Sequence, residues 1–366
     1  MNQDSTVIID NGSGYIKAGF SGNNAPQSVF PSVLSKVAGV GGTNYYFGED
    51  AVNMAGMMPL TYPIQRGVVN NNNWDDMTKI WEHTFSTVLN VQPSDRRVLL
   101  TEAPRNPKMN RERMAKIMFE TFQTQALCIA PTDYLSLTAS GRDTAIIIDS
   151  GYGVTNIVPY IDGVALKNTT HHAMGGRDVD NYMIELMSDF GTSLPSANKN
   201  VIASAIKDKL AYATQDCEAD MKNQSKEAYT LPDGMEIMVG PERFLCTEGL
   251  FDPSLFSMVL AGTTGITQGL LSCINKADID VRGSLCDNVI ISGGMNRLRG
   301  MTHRIEKEVS KVAPRMKLHI EINRKEAAWV GGSILASKAS FQESKFVTKS
   351  QYEEHGPSII HEICRF

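Results

Sequence analysis

Thr6-Val7-Ile8-Ile9-Asp10-Asn11-Gly12-Ser13-Gly14, near the start of the chain, recurs in outline as Ala145-Ile146-Ile147-Ile148-Asp149-Ser150-Gly151-Tyr152-Gly153. Each copy is a largely β-branched run, then Asp-x-Gly-x-Gly, then a second apolar run, Tyr15 to Phe20 and Val154 to Tyr160. Two apolar runs joined by a glycine-bearing turn predict a β-hairpin. A hairpin that returns well into the chain predicts two similar halves facing one another.

The repeated motif has a chemical reading. Glycines at the turn let backbone N–H groups approach an anion closely, because no Cβ intervenes. An aspartate at the strand end suits a hydrated Mg²⁺, which takes carboxylate, water and phosphate oxygens. Two such loops would clamp a polyphosphate, with Asp10 and Asp149 meeting at the cation. Lys17 lies two residues past Tyr15 and shares its face, so its ammonium could neutralise a phosphate; taken alone, a solvated lysine is the simpler reading. One Asp-x-Gly-x-Gly is also what a tight hairpin turn uses. Two copies at matched strand ends, together with a strand running into Ser292-Gly293-Gly294, favour phosphate binding. The chain lacks GxxxxGK[ST], and no GxGxxG precedes a helix, which disfavours a Walker A loop and a dinucleotide fold.

The remaining features bound the class. The 366 residues suffice for two or three domains and a large core. With 42% hydrophobic and 20% charged residues, the composition is that of a globular chain. The net charge of −5 and scattered basic residues give no nucleic-acid footprint. Six dispersed cysteines lack metal-ligand spacing and are expected as reduced thiols. MNQDSTVIID has no basic region followed by a long apolar stretch, so no signal peptide is expected. Pro253 to Asn275 is uncharged and long enough to span a bilayer, but its glycines and hydroxyl residues predict a buried loop and helix instead. Helices are predicted within Asp75–Val88, Asn110–Gln123 (Met114, Ile117, Met118 and Phe122 on one face), Lys199–Met221 and His303–Val312. Strands alternating with helices favour an α/β architecture. Trp74, Trp81 and Trp329 are expected as core anchors, the methionines as core fillers, and His171-His172 as a loop.

The stretches IDNGSGYIKAGFSG, YPIQRGVV, NWDDMTKIWEHTF, LLTEAPRNPKMNRERMAKIMFETF, LSLTASGR, VIISGG, WVGGSILAS and QYEEHGPSIIH resemble actin, in actin's order, from the first residues to the last. The resemblance implies the α/β fold shared with sugar kinases and heat-shock chaperone ATPases: two similar domains around a nucleotide cleft. It implies a small domain of 1–139 plus 327–366, with a subdomain at about 32–62, and a large domain of 140–326, with a subdomain at about 175–258. ATP or ADP would be the ligand, with Mg²⁺ or Ca²⁺ held through water by Asp10 and Asp149. Phosphate contacts would come from Asn11, Gly12, Ser13, Gly14 and Lys17, and from Ser150, Gly151, Tyr152 and Gly153. Adenosine contacts would fall at Gly176, Lys207, Asp208, Gly294 and Lys325. The resemblance further implies a cytoplasmic, cytoskeletal protein that self-associates into filaments; the scattered basic residues and the broken apolar segment argue against a nucleic-acid partner and a membrane span.

Departures from the family pattern bear on function. Thr132 stands where a Gln orients the attacking water, Asn156 where a His is usual, and Tyr152 where an Asp is usual. A threonine hydroxyl is shorter than a glutamine amide, and an asparagine, unlike a histidine, cannot shuttle a proton near neutral pH. Binding with slow hydrolysis is therefore expected. The segment between Phe30-Pro31-Ser32 and Phe47-Gly48-Glu49-Asp50 is shortened and glycine-rich (Gly39, Gly41, Gly42), and 255–264 is lengthened. Arg66 replaces a His, the acidic N-terminal cluster is reduced to Asp4, Phe346 stands near where a Trp is expected, and Thr138 replaces a Tyr in the cleft that receives actin-binding proteins, so that cleft is altered. The rival reading is a non-polymerising actin-related subunit of a larger cytoskeletal or chromatin complex. A small-molecule kinase is disfavoured, since no acceptor-site acid stands out.

Overall fold

Both hairpins are formed, and each is the start of a sheet. The structure, a computed structural model, describes residues 5–39, 42–167, 169–195, 198–223, 225–257, 262–323 and 326–366. Asp4, Gly41, Lys325 and residues 258–261 of the lengthened segment lie outside the described residues. Two compact units result. The first is Met1–Asp143 with Asp162–Val164 and Glu326–Phe366; the second is Thr144–Ile161 with Ala165–Lys325.

In the first unit the strands are β1 (Val7–Asn11), β2 (Tyr15–Phe20), β3 (Ser28–Pro31), β4 (Leu34–Gly39), β5 (Gly42–Phe47), β6 (Arg97–Glu102) and β7 (Ala126–Pro131). The main sheet runs in the order Val347–Thr348, β7, β6, β1, β2, β3. β1 is antiparallel to β2 and parallel to β6, which is parallel to β7. Val7, Ile8 and Ile9 are buried without alternation, as befits a strand covered on both faces. Helices α1 (Trp74–His83), α2 (Lys108–Lys116) and α3 (Thr132–Ser140) belong to this unit. α1 and α2 each widen into a π turn, closed by Leu89 N–H donating to Thr84 O at 2.9 Å and Phe122 N–H to Ile117 O at 3.1 Å. The three tryptophans are buried, as expected, and Trp329 Nε1 donates to Ile8 O at 3.2 Å. The shortened, glycine-rich segment is not a plain loop: β4 and β5 pair antiparallel from Leu34 opposite Phe47 to Gly39 opposite Gly42.

In the second unit, β8 (Ala145–Ser150), β9 (Thr155–Ile161), β10 (Thr170–His172), β11 (Val289–Ser292) and β12 (Ile320–Ile322) lie side by side in the order β10, β9, β8, β11, β12. β8 is antiparallel to β9 and parallel to β11, repeating the relation of β1 to β2 and β6. His171 and His172 therefore lie on a strand, which corrects the loop expected for them. Helices α4 (Gly176–Asp189), α5 (Lys199–Leu210), α6 (Ile266–Lys276) and α7 (Met301–Val312) pack with the sheet. Pro253 to Asn275 gives a short turn and α6, and among the described residues no helix is long and apolar enough to cross a membrane. The six cysteines are free thiols.

The single helix expected over Lys199–Met221 is broken. α5 ends at Leu210 and a second helix begins at Cys217. Between them the backbone leaves the helical register to bond elsewhere: Tyr212 N–H donates to Arg243 O at 3.1 Å and Ala213 N–H to Arg299 O at 2.8 Å. Arg304 on α7 holds this crossing. Its guanidinium donates to Thr214 O at 2.6 Å and grips Glu248 through two bonds of 2.7 and 2.8 Å. Removing one partner of a buried pair leaves the other charge stranded, at about 3–5 kcal/mol. Arg304→Met is accordingly expected to destabilise the second unit by about 3 kcal/mol, read as a lower urea midpoint. An unchanged midpoint would show that Glu248 does not depend on the guanidinium.

Candidate functional site

The first unit's loop is built on a carboxylate. Asp10, only 3% exposed, stands opposite Lys17 and forms an ion pair with it. Its other oxygen accepts the Thr101 hydroxyl at 2.7 Å, and that hydroxyl accepts Asn11 N–H at 2.9 Å. Asn11 is clamped further: its side-chain amide donates to Thr101 O at 3.0 Å and its side-chain oxygen accepts Trp81 Nε1 at 3.0 Å. Ser13 Oγ accepts Gly67 N–H at 3.1 Å, and Gly14 O accepts Ser32 N–H at 2.9 Å. A cavity of about 20 Å³, room for one water, lies behind Asn11 among Trp81, Thr101, Glu102, Asn106 and Asn110. Burial pushes the Glu102 carboxyl above its ordinary value, against the pull of Arg111 and Asn106. Thr132 opens α3 directly after β7, at the sheet edge where β1 and β6 also end. The structure thus gathers Asp10, Asn11 and Lys17, and it assigns the ammonium of Lys17 to Asp10.

The second unit repeats the grip. Asp149 accepts the Ser292 hydroxyl of the parallel strand β11 at 3.2 Å, as Asp10 accepts that of Thr101 on β6. The loop Ser150–Gly153 is approached very closely by two backbones. Gly176 N–H donates to Gly151 O at 3.0 Å and Arg177 N–H to Tyr152 O at 2.9 Å, seating the start of α4 on the loop. A Cβ on Gly175 would stand 2.7 Å from both carbonyl oxygens. Gly293, at φ 86°, would carry a Cβ 2.3 Å from Ser150 O. Side chains at either position would displace the loop.

Of the expected adenosine contacts, Gly176 and Lys207 come together with Tyr152. Lys207 Nζ lies 3.4 Å from Gly176 O and 5.3 Å from the Tyr152 ring centre. It also lies 2.7 Å from Asp180, a buried α4 carboxylate that motif reading overlooked. Burial raises the Asp180 pKa, and Lys207 opposes the shift. Asp208 stays on the exposed side, its carboxylate 3.9 Å from the same ammonium. Gly294 starts the turn Gly294–Arg297 directly after Gly293; Lys325 lies outside the described residues.

These features fit a phosphate ligand: glycine cradles that a Cβ would fill, and strand-end carboxylates fixed by hydroxyls. Among the described residues no three His, Cys, Asp or Glu side chains converge, so a cation at Asp10 or Asp149 would be completed by water and phosphate oxygens.

Across β9 and β10, Asn156 opposes His171 and Thr155 opposes His172. Neighbouring residues of a strand point to opposite faces. Asn156, 1% exposed, accepts His171 Nδ1 at 2.6 Å. His172, also 1% exposed, packs so tightly on α6 that a Cβ on Gly269 would stand 2.4 Å from its ring. The residues the sequence reading missed are Thr101 and Asp180; only a charged residue within the buried stripe of α4 signalled one of them.

The sequence matches the family model for Actin over residues 1–365.

Burial, with the neighbouring His171 adding to it and the Thr264 backbone partly offsetting it, lowers the His172 pKa to about 4. The unfolded chain takes up this proton near pH 6.5, while the folded protein does so only near pH 4. Stability is therefore present above pH 6.5 and lost as pH falls towards 4, by up to about 3 kcal/mol. Comparing urea midpoints at pH 7 and 4.5, the wild type is expected to lose more stability than His172→Gln. Equal losses would refute the assignment.

Proposed function

Because the chain belongs to the actin family, we propose that it is an ATP-binding, actin-like cytoskeletal protein of the cytoplasm that assembles into filaments and hydrolyses ATP slowly. The observation that carries this reading is the duplicated grip. Asp10 and Asp149 each end a buried strand, each accepts a hydroxyl from its parallel neighbour, and each precedes a glycine loop. Asn11 to Gly14 and Ser150 to Gly153 would hold the phosphates. Gly176, Lys207, Asp208, Gly294 and Lys325 would hold the adenosine. Mg²⁺ or Ca²⁺, bound through water at the two aspartates, would supply neutralising charge.

Slow turnover follows from residue chemistry. Thr132 offers a hydroxyl on a short side chain where a longer amide would reach the water, and water misplaced by about 1 Å reacts roughly 100-fold more slowly. Asn156 has no group that takes up and returns a proton near neutral pH. Assembly is supported by the β4–β5 hairpin, whose Thr43 and Asn44 are exposed and which lies where the family makes filament contacts.

Titration with MgATP tests the reading. Saturable binding is expected, weakened roughly tenfold or more in Asp10→Asn/Asp149→Asn through loss of charge-assisted bonds. Absence of saturable binding in the wild type would sink the proposal. With MgATP, sedimentation is expected to give a pellet that grows above a threshold concentration. A chain that stays in the supernatant yet co-purifies in a fixed heteromeric complex would favour the non-polymerising subunit instead.

A further inference from the structure

The side chain of Tyr152 parts company with its backbone. The backbone belongs to the glycine loop Ser150–Gly153, but the ring lies among residues of three other segments. Gly176, the first residue of α4, marks where they meet. A Cβ there would stand 3.2 Å from Tyr152 Cδ2, 3.2 Å from Lys207 Nζ on α5 and 3.2 Å from Met295 Sδ, the residue after Gly294. The ring thus sits amid three positions proposed above for adenosine: Gly176, Lys207 and Gly294.

Burial decides which of these side chains a ligand can meet. Lys207 is 5% exposed and Met295 3%, whereas Tyr152 is partly exposed. The Lys207 ammonium has three protons to donate. It lies 2.7 Å from Asp180 and 3.4 Å from Gly176 O, and the Tyr152 ring centre stands 5.3 Å away, within the range at which an aromatic face holds a cation. Burial pushes the Asp180 carboxyl towards its neutral form, and Lys207 and a hydrogen bond from Tyr152 oppose that shift. A buried ion pair needs its remaining bonding capacity met, and the phenol, its most exposed member, completes this one. Lys207 therefore reaches a ligand through Tyr152.

We propose that Tyr152 is a specificity-determining residue for the adenosine half of the nucleotide, its ring stacking on the adenine, with Lys207 and Asp180 as positioning residues that fix the ring. The proposal rests on the ATP-binding reading above. A flat aromatic face suits a purine, because stacking uses the π-face and not the edge. The aspartate usual at this position would offer a carboxylate that accepts hydroxyl bonds. Tyrosine offers a surface instead, so this departure moves recognition from hydrogen bonding towards stacking.

Two measurements test the proposal. Calorimetric titration compares MgATP with magnesium tripolyphosphate, which carries phosphates and no adenosine. NMR of labelled tyrosine follows the Tyr152 ring in the wild type, assigned as the resonance missing from Tyr152→Phe. The ring is expected to shift upfield with MgATP, under the ring current of the base, and to stay in place with tripolyphosphate. Tyr152→Ala should weaken ATP roughly tenfold and tripolyphosphate much less, and Tyr152→Phe should regain most of the loss. Asp180→Asn should weaken ATP in the otherwise unaltered chain and add nothing in Tyr152→Ala. Equal losses of both ligands in Tyr152→Ala, or a ring that shifts alike with both, would show a residue that only shapes the loop and would overturn the proposal. An Asp180→Asn loss that adds in full overturns the positioning role. The NMR comparison needs no folded alanine variant. Wild-type protein that binds both ligands equally tightly overturns the stacking and leaves phosphate binding standing. Protein that binds neither brings down both readings.

Discussion

A carboxylate at the end of a buried strand has lost most of its water and must find donors in the protein. Asp10 and Asp149 solve this in the same way, through a hydroxyl on the strand that runs parallel beside them: Thr101 on β6 and Ser292 on β11. Parallel pairing thereby decides where each glycine loop begins. The hydroxyl fixes the carboxylate, the carboxylate ends the strand, and the turn follows at once. Further contacts then settle around the loop. Trp81 and Thr101 clamp Asn11 in the first unit, and the start of α4 closes on the carbonyls of Gly151 and Tyr152 in the second. That closure needs the absence of a Cβ at Gly175, and the approach of Gly293 to Ser150 O needs its absence there as well. The pairing of strands comes first, and the loop geometry follows from it.

Most of the fold was legible because its signals are local. A β-branched run, a glycine turn and a second apolar run specify a hairpin within one short window, and likeness over the whole chain supplied the order of the elements. What escaped was set by contacts between distant segments. The apolar spacing of Lys199–Met221 continues through Leu210, Ala211 and Ala213, all buried. Nothing in that spacing shows that Tyr212 and Ala213 bond to Arg243 and Arg299 instead of to the preceding turn. The hairpin of β4 and β5 is hidden by its own glycines, which read as loop until Leu34 is seen opposite Phe47. Within the site, the motif residues stood out, while their partners did not. Thr101 is one hydroxyl at the end of an ordinary strand, and Asp180 acquires meaning only when Lys207 reaches it from another helix. His171-His172 has no ligand spacing, and its register against β9 gives each ring a separate face.

The two copies of the hairpin differ most at one register position. Opposite Asp10 stands Lys17, and the two form an ion pair near the end of the strand. Opposite Asp149 stands Asn156, which brings no charge. A lysine at that point would direct its ammonium to the aspartate, as Lys17 does, and would leave no acceptor for the strand beyond it. The asparagine instead turns its oxygen outward, along the row of side chains that crosses the sheet, to meet His171 Nδ1. The difference between an amine and an amide at one repeated position therefore decides what the third strand can contribute. In the first unit β3 places Val29 at the corresponding point, where the row ends in an apolar side chain. In the second unit the row extends to the imidazole of His171, whose Nδ1 lies 2.6 Å from Asn156 Oδ1. Duplication supplied the same carboxylate grip twice; the residue opposite it decides whether the row continues in a polar contact, as at Asn156 and His171, or ends at Val29.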